Sequence, residues 1–144
     1  MATTSATITI NSDITSSPLR ISKTMLLKKF TSTDGIEETT GLRSKKFNAT
    51  TAVEIISNTE GTADKASKVY IRNTGSSSVE FFYVALNNNA AASDTTETIG
   101  KLYGGDWMLM PYNGAVDINV VSSTTDIQYL EYMVFADGIV AALG

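Results

Sequence analysis

The sequence predicts an all-β protein: a single β-sandwich or jelly-roll-like domain of eight or nine antiparallel strands. Three observations carry that prediction. Short runs with period-two apolar patterning recur along the chain, and no long stretch keeps the i, i+3, i+4, i+7 stripe of an amphipathic helix. Thr and Ser are abundant, and β-branched Thr favours strands. Turn-forming residues punctuate the apolar runs at short spacing, the pattern of a sandwich or jelly roll.

The chain has 144 residues, which suits one domain with a real core. Residues 1–17 are Thr/Ser-rich and read as a flexible polar N-terminal arm, with Ala6–Ile10 as an exposed or swapped strand within it. Met1 to Pro18 has neither Lys nor Arg nor an apolar stretch, so it is not expected to act as a secretory signal. Residues 18–144 are expected to form the sandwich, beginning with a long run, Leu19–Thr31. There Leu19, Ile21, Met25 and Leu27 share one face, with a bulge near Lys23–Leu27. Thr33–Asn48 reads as a charged connection, Thr51–Ser57 as a strand, and Asn58–Ser67 as a polar loop.

Lys68–Arg72 and Ser78–Leu86 are expected to form a hairpin across Asn73–Ser77. The second of these strands is apolar on both faces, so it is central or lies under a partner. Asn87–Thr98 is a polar surface loop, and Ile99–Tyr103 leads into a tight turn at Gly104-Gly105-Asp106. Trp107–Tyr112 and Ala115–Ser122 flank Asn113-Gly114, the preferred pair for a two-residue hairpin. That turn would oppose Tyr112 to Ala115, Leu109 to Ile118 and Trp107 to Val120. Pro111 fits only where its missing N–H is not needed. Ile127–Phe135 forms the last strand, and the apolar end Asp137–Gly144 tucks into the core or into a neighbour.

Chemistry is scarce. The chain has no Cys and no His, which removes disulfides, thiolate and imidazole metal sites, and Ser-His or Cys-His pairs. Glu37 and Glu38 are sequence neighbours that point apart. Asp94 and Glu97 with Asn87, Asn88 and Asn89 supply oxygen atoms but fit no calcium-loop spacing. Asn48-Ala49-Thr50 matches a glycosylation sequon without a secretory route. No enzyme, cofactor or metal is expected. Nothing approaches a membrane-spanning apolar run, and a net charge of −4 gives no general attraction to nucleic acid.

The charge is uneven. Residues 1–50 carry seven Lys/Arg against four acids, and residues 51–144 carry four against eleven. A basic segment that meets an acidic partner surface, another copy included, is one reading; solvated strand faces is the other. Arg43, Lys45 and Lys46 are the candidate basic contacts. Tyr83, Met108, Met110 and Tyr112 are the candidate apolar contacts, because Tyr and Met are enriched at interfaces.

Three segments carry a resemblance: Val69–Leu86 (VYIRNTGSSSVEFFYVAL), Glu97–Ser123 and Ile127–Ala136. A strand ends in R-N-T-G, another leads to an L-x-x-G-D turn, and a third ends at P-x-N-G. Leu102, Gly105, Asp106, Pro111, Asn113 and Gly114 fill this pattern. It resembles the small β-sandwich virion structural proteins of tailed bacteriophages, especially those of marine cyanobacteria, over roughly residues 67–136. A similar glycine pattern occurs in cupin barrels, whose metal histidines this chain lacks. The resemblance implies a capsid decoration (cement) protein on the virion surface. Such a protein binds the major capsid protein and acts as a homo-oligomer, trimers being common among these proteins. The alternatives are a tail or fibre accessory protein or a receptor- or glycan-binding tip, which needs an exposed aromatic platform. A carboxylate enzyme ranks last.

Overall fold

A computed structural model describes residues 4–14, 17–28, 36, 38–58, 67–86, 98–114 and 116–136. Among them there is no helix, and eleven strands are present: β1 (Ser5–Ser12), β2 (Leu19–Leu26), β3 (Glu38–Thr39), β4 (Arg43–Phe47), β5 (Val53–Ile56), β6 (Ser67–Asn73), β7 (Phe81–Leu86), β8 (Thr98–Tyr103), β9 (Trp107–Pro111), β10 (Ile118–Ser122) and β11 (Gln128–Ala136). Each expected strand has a counterpart. Two more, β3 and β4, come out of the segment read as a connection.

Strands β4 to β11 form two packed antiparallel sheets. One runs β5-β10-β7-β8; the other runs β11-β6-β9, with β3 and β4 both pairing β11. The pairs β4·β11, β5·β10, β6·β9 and β7·β8 are nested. Such nesting arises when a long two-stranded ribbon, folded between β7 and β8, rolls up into two sheets. This is the jelly-roll topology.

Two hairpins expected from local signals are not formed. β6 and β7 lie in opposite sheets, so Asn73–Ser77 is an arch between layers. Likewise β9 pairs β6, with Leu109 opposite Tyr70, while β10 pairs β7 and β5 in the other sheet. Asn113-Gly114 therefore also carries the chain across the sandwich. The left-handed φ of 89° at Gly114 serves that arch as it would have served a hairpin. Burial supplies the reason for the exchange. β10 is buried at all five positions and needs strands on both sides, which the centre of a sheet provides. β9 is only partly buried and holds Pro111, and it lies at a sheet edge, where a missing N–H is tolerated.

The core lies between the sheets. Phe82, Val84, Ile118 and Val120 face Val69, Ile71, Leu130 and Val134, all essentially inaccessible, and Phe47 meets Phe82 edge-on at 4.9 Å between ring centroids. Strand β11 shows the alternation most plainly, with every second residue from Gln128 to Ala136 buried.

Asn73 joins two arches at one end of the sandwich. Its N–H donates to the Asp106 carbonyl, its carbonyl accepts from Gly105 N–H, and its side-chain amide donates to the Leu102 carbonyl. Gly104 N–H donates to the Ser77 carbonyl, so the β8–β9 turn lies directly on the β6–β7 arch. A Cβ at Gly104 would come within 2.4 Å of Ser77 N and 2.6 Å of Ser76 C, so only glycine fits there without backbone movement. Gln128 satisfies the neighbouring buried polar atoms, donating to Ser122 Oγ at 2.7 Å and to the Phe81 carbonyl.

Candidate functional site

Strands β1 and β2 stand apart from this sandwich as a separate two-stranded ribbon. Their register is unbroken from Ser5·Leu26 to Ser12·Leu19, so the bulge expected near Lys23 is not formed, and the exposed strand expected at Ala6–Ile10 is present as part of β1, paired with β2. Directly opposed residues project to the same side of an antiparallel pair. One side therefore carries Ala6, Ile8 and Ile10 with Leu19, Ile21 and Met25, and with Lys23 among them. The other carries Ser5, Thr7, Thr9 and Asn11 with Leu26, Thr24, Ser22 and Arg20. On that polar side, Thr7 and Thr24 hydroxyls hydrogen-bond at 2.7 Å and Thr9 and Ser22 at 3.5 Å.

The apolar side is left open. Ile8 is 41%, Ile10 42%, Leu19 51% and Met25 44% exposed, with Ile21 close behind. Together these five side chains expose roughly 400 Å², worth up to about 10 kcal/mol of gross transfer free energy if covered. A two-stranded ribbon is marginally stable in water by itself. Among the described residues, backbone hydrogen bonds hold this one at its base. Leu27 and Ile36 are both buried, Leu27 N–H donates to the Thr4 carbonyl at 2.9 Å, and Ile36 N–H donates to the Leu27 carbonyl at 2.6 Å.

A cleft of about 210 Å³ lies at the base, where Ala6, Ile8 and Met25 approach Trp107 and Leu109 of β9. Beside it runs a wider groove of about 610 Å³, lined by Tyr70, Arg72, Trp107, Leu109 and Phe135. Trp107 is half exposed and stands opposite Arg72 in register. Tyr70 donates its hydroxyl to Glu131 Oε1 at 2.7 Å, and Arg72 approaches the same carboxylate at 3.8 Å. Burial, reinforced by the hydrogen bond to Glu131, pushes the Tyr70 phenol above its ordinary range.

The contact residues expected from sequence are dispersed by the fold. Arg43, Lys45 and Lys46 lie along β4, with Lys45 and Lys46 exposed and the Arg43 guanidinium over the Tyr132 ring at 4.8 Å. Met108 and Met110 pack against the core, and Tyr112 is part of it, donating its hydroxyl to the Val116 carbonyl at 2.6 Å. Tyr83 is buried with Ala85 and Val121, on the face of β7 opposite the core. Lys45 and Lys46, adjacent on the strand, project to opposite faces of β4, beside Leu130 and Tyr129 respectively, so the seven residues do not form one surface. Asp94, Glu97 and Asn87–Asn89, and the tail Asp137–Gly144, lie outside the described residues, as does the Glu37 side of the Glu37–Glu38 pair. Among the described residues no three carboxylates converge on one point.

Sequence reasoning put Leu19, Ile21 and Met25 on one face but missed the pairing that joins them to Ile8 and Ile10 in a single apolar surface. The signal was present in Ile8 and Ile10 alternating with Thr, and in Leu19, Ile21 and Met25 at period two. Compared with protein-family models and with curated protein sequences, the chain matches none.

Proposed function

We propose that this protein is a structural component of an assembly, most specifically a capsid decoration protein of a tailed bacteriophage that binds the major capsid protein and holds its lattice together. The single observation that carries this reading is the ribbon. A polypeptide that closes a complete jelly roll and still holds out five large apolar side chains on a projecting strand pair is incomplete alone. The resemblance of residues 67–136 to phage β-sandwich proteins supplies the kind of assembly. A fold of this type hosts many functions, so the topology by itself does not choose among them.

The mechanism is physical. Area buried across the joints between capsid subunits opposes their separation, and repetition over a lattice multiplies weak contacts. The exposed cations of β4 suit an acidic capsid surface, and their contribution falls as salt rises. Undecorated capsids mixed with the purified chain test this directly. Saturable, salt-sensitive binding is expected, weakened in the Lys45→Glu, Lys46→Glu double variant. A chain that leaves such capsids bare disproves the assignment.

One observation favours a second reading, a glycan- or receptor-binding tip. Exposed Trp107 beside Tyr70, Arg72 and Glu131 forms an aromatic platform with polar neighbours in a groove of ligand size. A glycan array distinguishes the two: binding abolished by Trp107→Ala supports the tip, and a blank array removes it.

A further inference from the structure

We infer that the groove beside Trp107 is a site for acidic sugars, with the sugar ring stacked on the indole and its carboxylate held by Arg72. The inference rests on the glycan-binding reading given second above and names the class of glycan.

Register builds the site. Glu131, Arg72 and Trp107 lie directly opposite one another on β11, β6 and β9, so their side chains form one row across the outer face of that sheet. Arg72 thus sits between a carboxylate and an indole. Glu131 approaches one guanidinium nitrogen at 3.8 Å and accepts the Tyr70 hydroxyl at 2.7 Å, which holds Arg72 from one side. The Arg72 side chain is 46% exposed, and its planar fork of N–H donors is more than Glu131 and the Tyr70 oxygen can occupy. On its other side stands Trp107, 52% exposed. The two lie one strand apart, a spacing of about 4.8 Å that is close to the width of a sugar ring. The apolar C–H face of such a ring suits the indole face, whose quadrupole is negative. A carboxylate on the ring suits the two-pronged fork of Arg.

Charge selects the acidic class. Among the described residues, the charged ones lining the groove and the cleft that joins it at Trp107 are Arg72 and Lys23, both cations. This reverses the local background, since residues 51–144 carry eleven acids against four bases. The carboxylates beside the groove are engaged: Glu131 as above, and Asp106 through Tyr103 N–H, which donates to its Oδ2 at 2.9 Å. None of the described lining residues is Asp, Asn, Glu or Gln, the side chains that best accept from the hydroxyls of a neutral sugar. A neutral sugar stacked on Trp107 finds few acceptors, whereas an acidic one meets two cations.

Trp107 is the sole tryptophan, so its fluorescence reports on the site. The full chain is titrated with trigalacturonate, with the neutral trimer of galactose, and with octanoate, an acid that has no sugar ring. Trigalacturonate is expected to shift the emission saturably, with an affinity that falls as salt rises. The neutral trimer should bind about tenfold more weakly. Arg72→Gln should raise the trigalacturonate dissociation constant about tenfold while leaving that of the neutral trimer within about twofold, and Lys23→Gln should act the same way to a smaller degree. An Arg72→Gln variant that weakens both sugars alike gives Arg72 a merely structural role and overturns the assignment. Equal binding of the two trimers by the wild-type chain overturns the inference and leaves the glycan reading standing. Octanoate that binds as tightly as trigalacturonate overturns the sugar. No response to either trimer also overturns the inference, and the glycan array then decides whether the tip reading survives.

Discussion

The ribbon and the sandwich are made of the same kind of strand, and they differ in what their apolar faces meet. In β11 alternate residues vanish against β7 and β10, whereas in β1 and β2 the same alternation ends in solvent. The backbone hydrogen bonds are equally regular in both. Strand formation is therefore a local matter of alternation and β-branched residues, while stability comes from the second layer. A region with the first and without the second is poised to take its second layer from another molecule.

The comparison breaks most sharply at the core. Phe82→Ala removes the ring that meets Phe47 edge-on and should cost about 3–5 kcal/mol, measured by denaturant unfolding, whereas Ile10→Ala in the ribbon should stay within about 0.5 kcal/mol. Similar costs at both positions would mean that the ribbon is as well supported as the sandwich. Next comes the arch contact. Gly104→Ala drives a Cβ into the Ser76–Ser77 backbone and should cost about 1–3 kcal/mol, while Gly100→Ala, with open space around it, should cost almost nothing. Equal melting temperatures for the two would show that the stacked arches yield freely.

A smaller effect is expected on the outer face. Tyr70→Phe loses the hydrogen bond to Glu131 and should cost about 1 kcal/mol at neutral pH. The phenol is raised above 10.0 in the folded chain, so its contribution is complete below that pH and fades as pH climbs through the raised value. The gap between wild type and Tyr70→Phe should accordingly shrink in alkaline solution; a gap that stays constant contradicts the assignment. The smallest effect belongs to the ribbon itself. A chain beginning at Leu27, in dilute solution where copies are apart, should melt within about 0.5 kcal/mol of the full chain. A large loss would place the ribbon inside the folding unit.

Much of this architecture was legible in the residues. Period-two runs gave the strands of the sandwich apart from β3 and β4, which lie in the charged segment read as a connection, and the two-faced apolar runs at Phe81–Leu86 and Ile127–Phe135 marked strands that lie between neighbours. The Gly104-Gly105-Asp106 turn was legible too, and Gly105 takes a φ of 87°. Pairing was not. Asn113-Gly114 reports that the chain bends, and a bend is needed equally by a hairpin and by an arch. Tyr112 and Met110 illustrate the consequence: with β9 and β10 in one sheet they would reach the surface, and with the strands in opposite sheets they face the core.

The amino-acid sequence by itself determined where most strands form and which of their faces are apolar, because alternation and turn chemistry act over a few residues; β4 (RSKKF) carries no such pattern and forms by pairing β11. It also excluded thiol and imidazole chemistry outright. Only the tertiary structure decided which strands are partners and which apolar face stays uncovered. Those outcomes depend on contacts between residues far apart in the chain, such as Leu130 with Asn73 or Tyr70 with Leu109, and no local pattern encodes them.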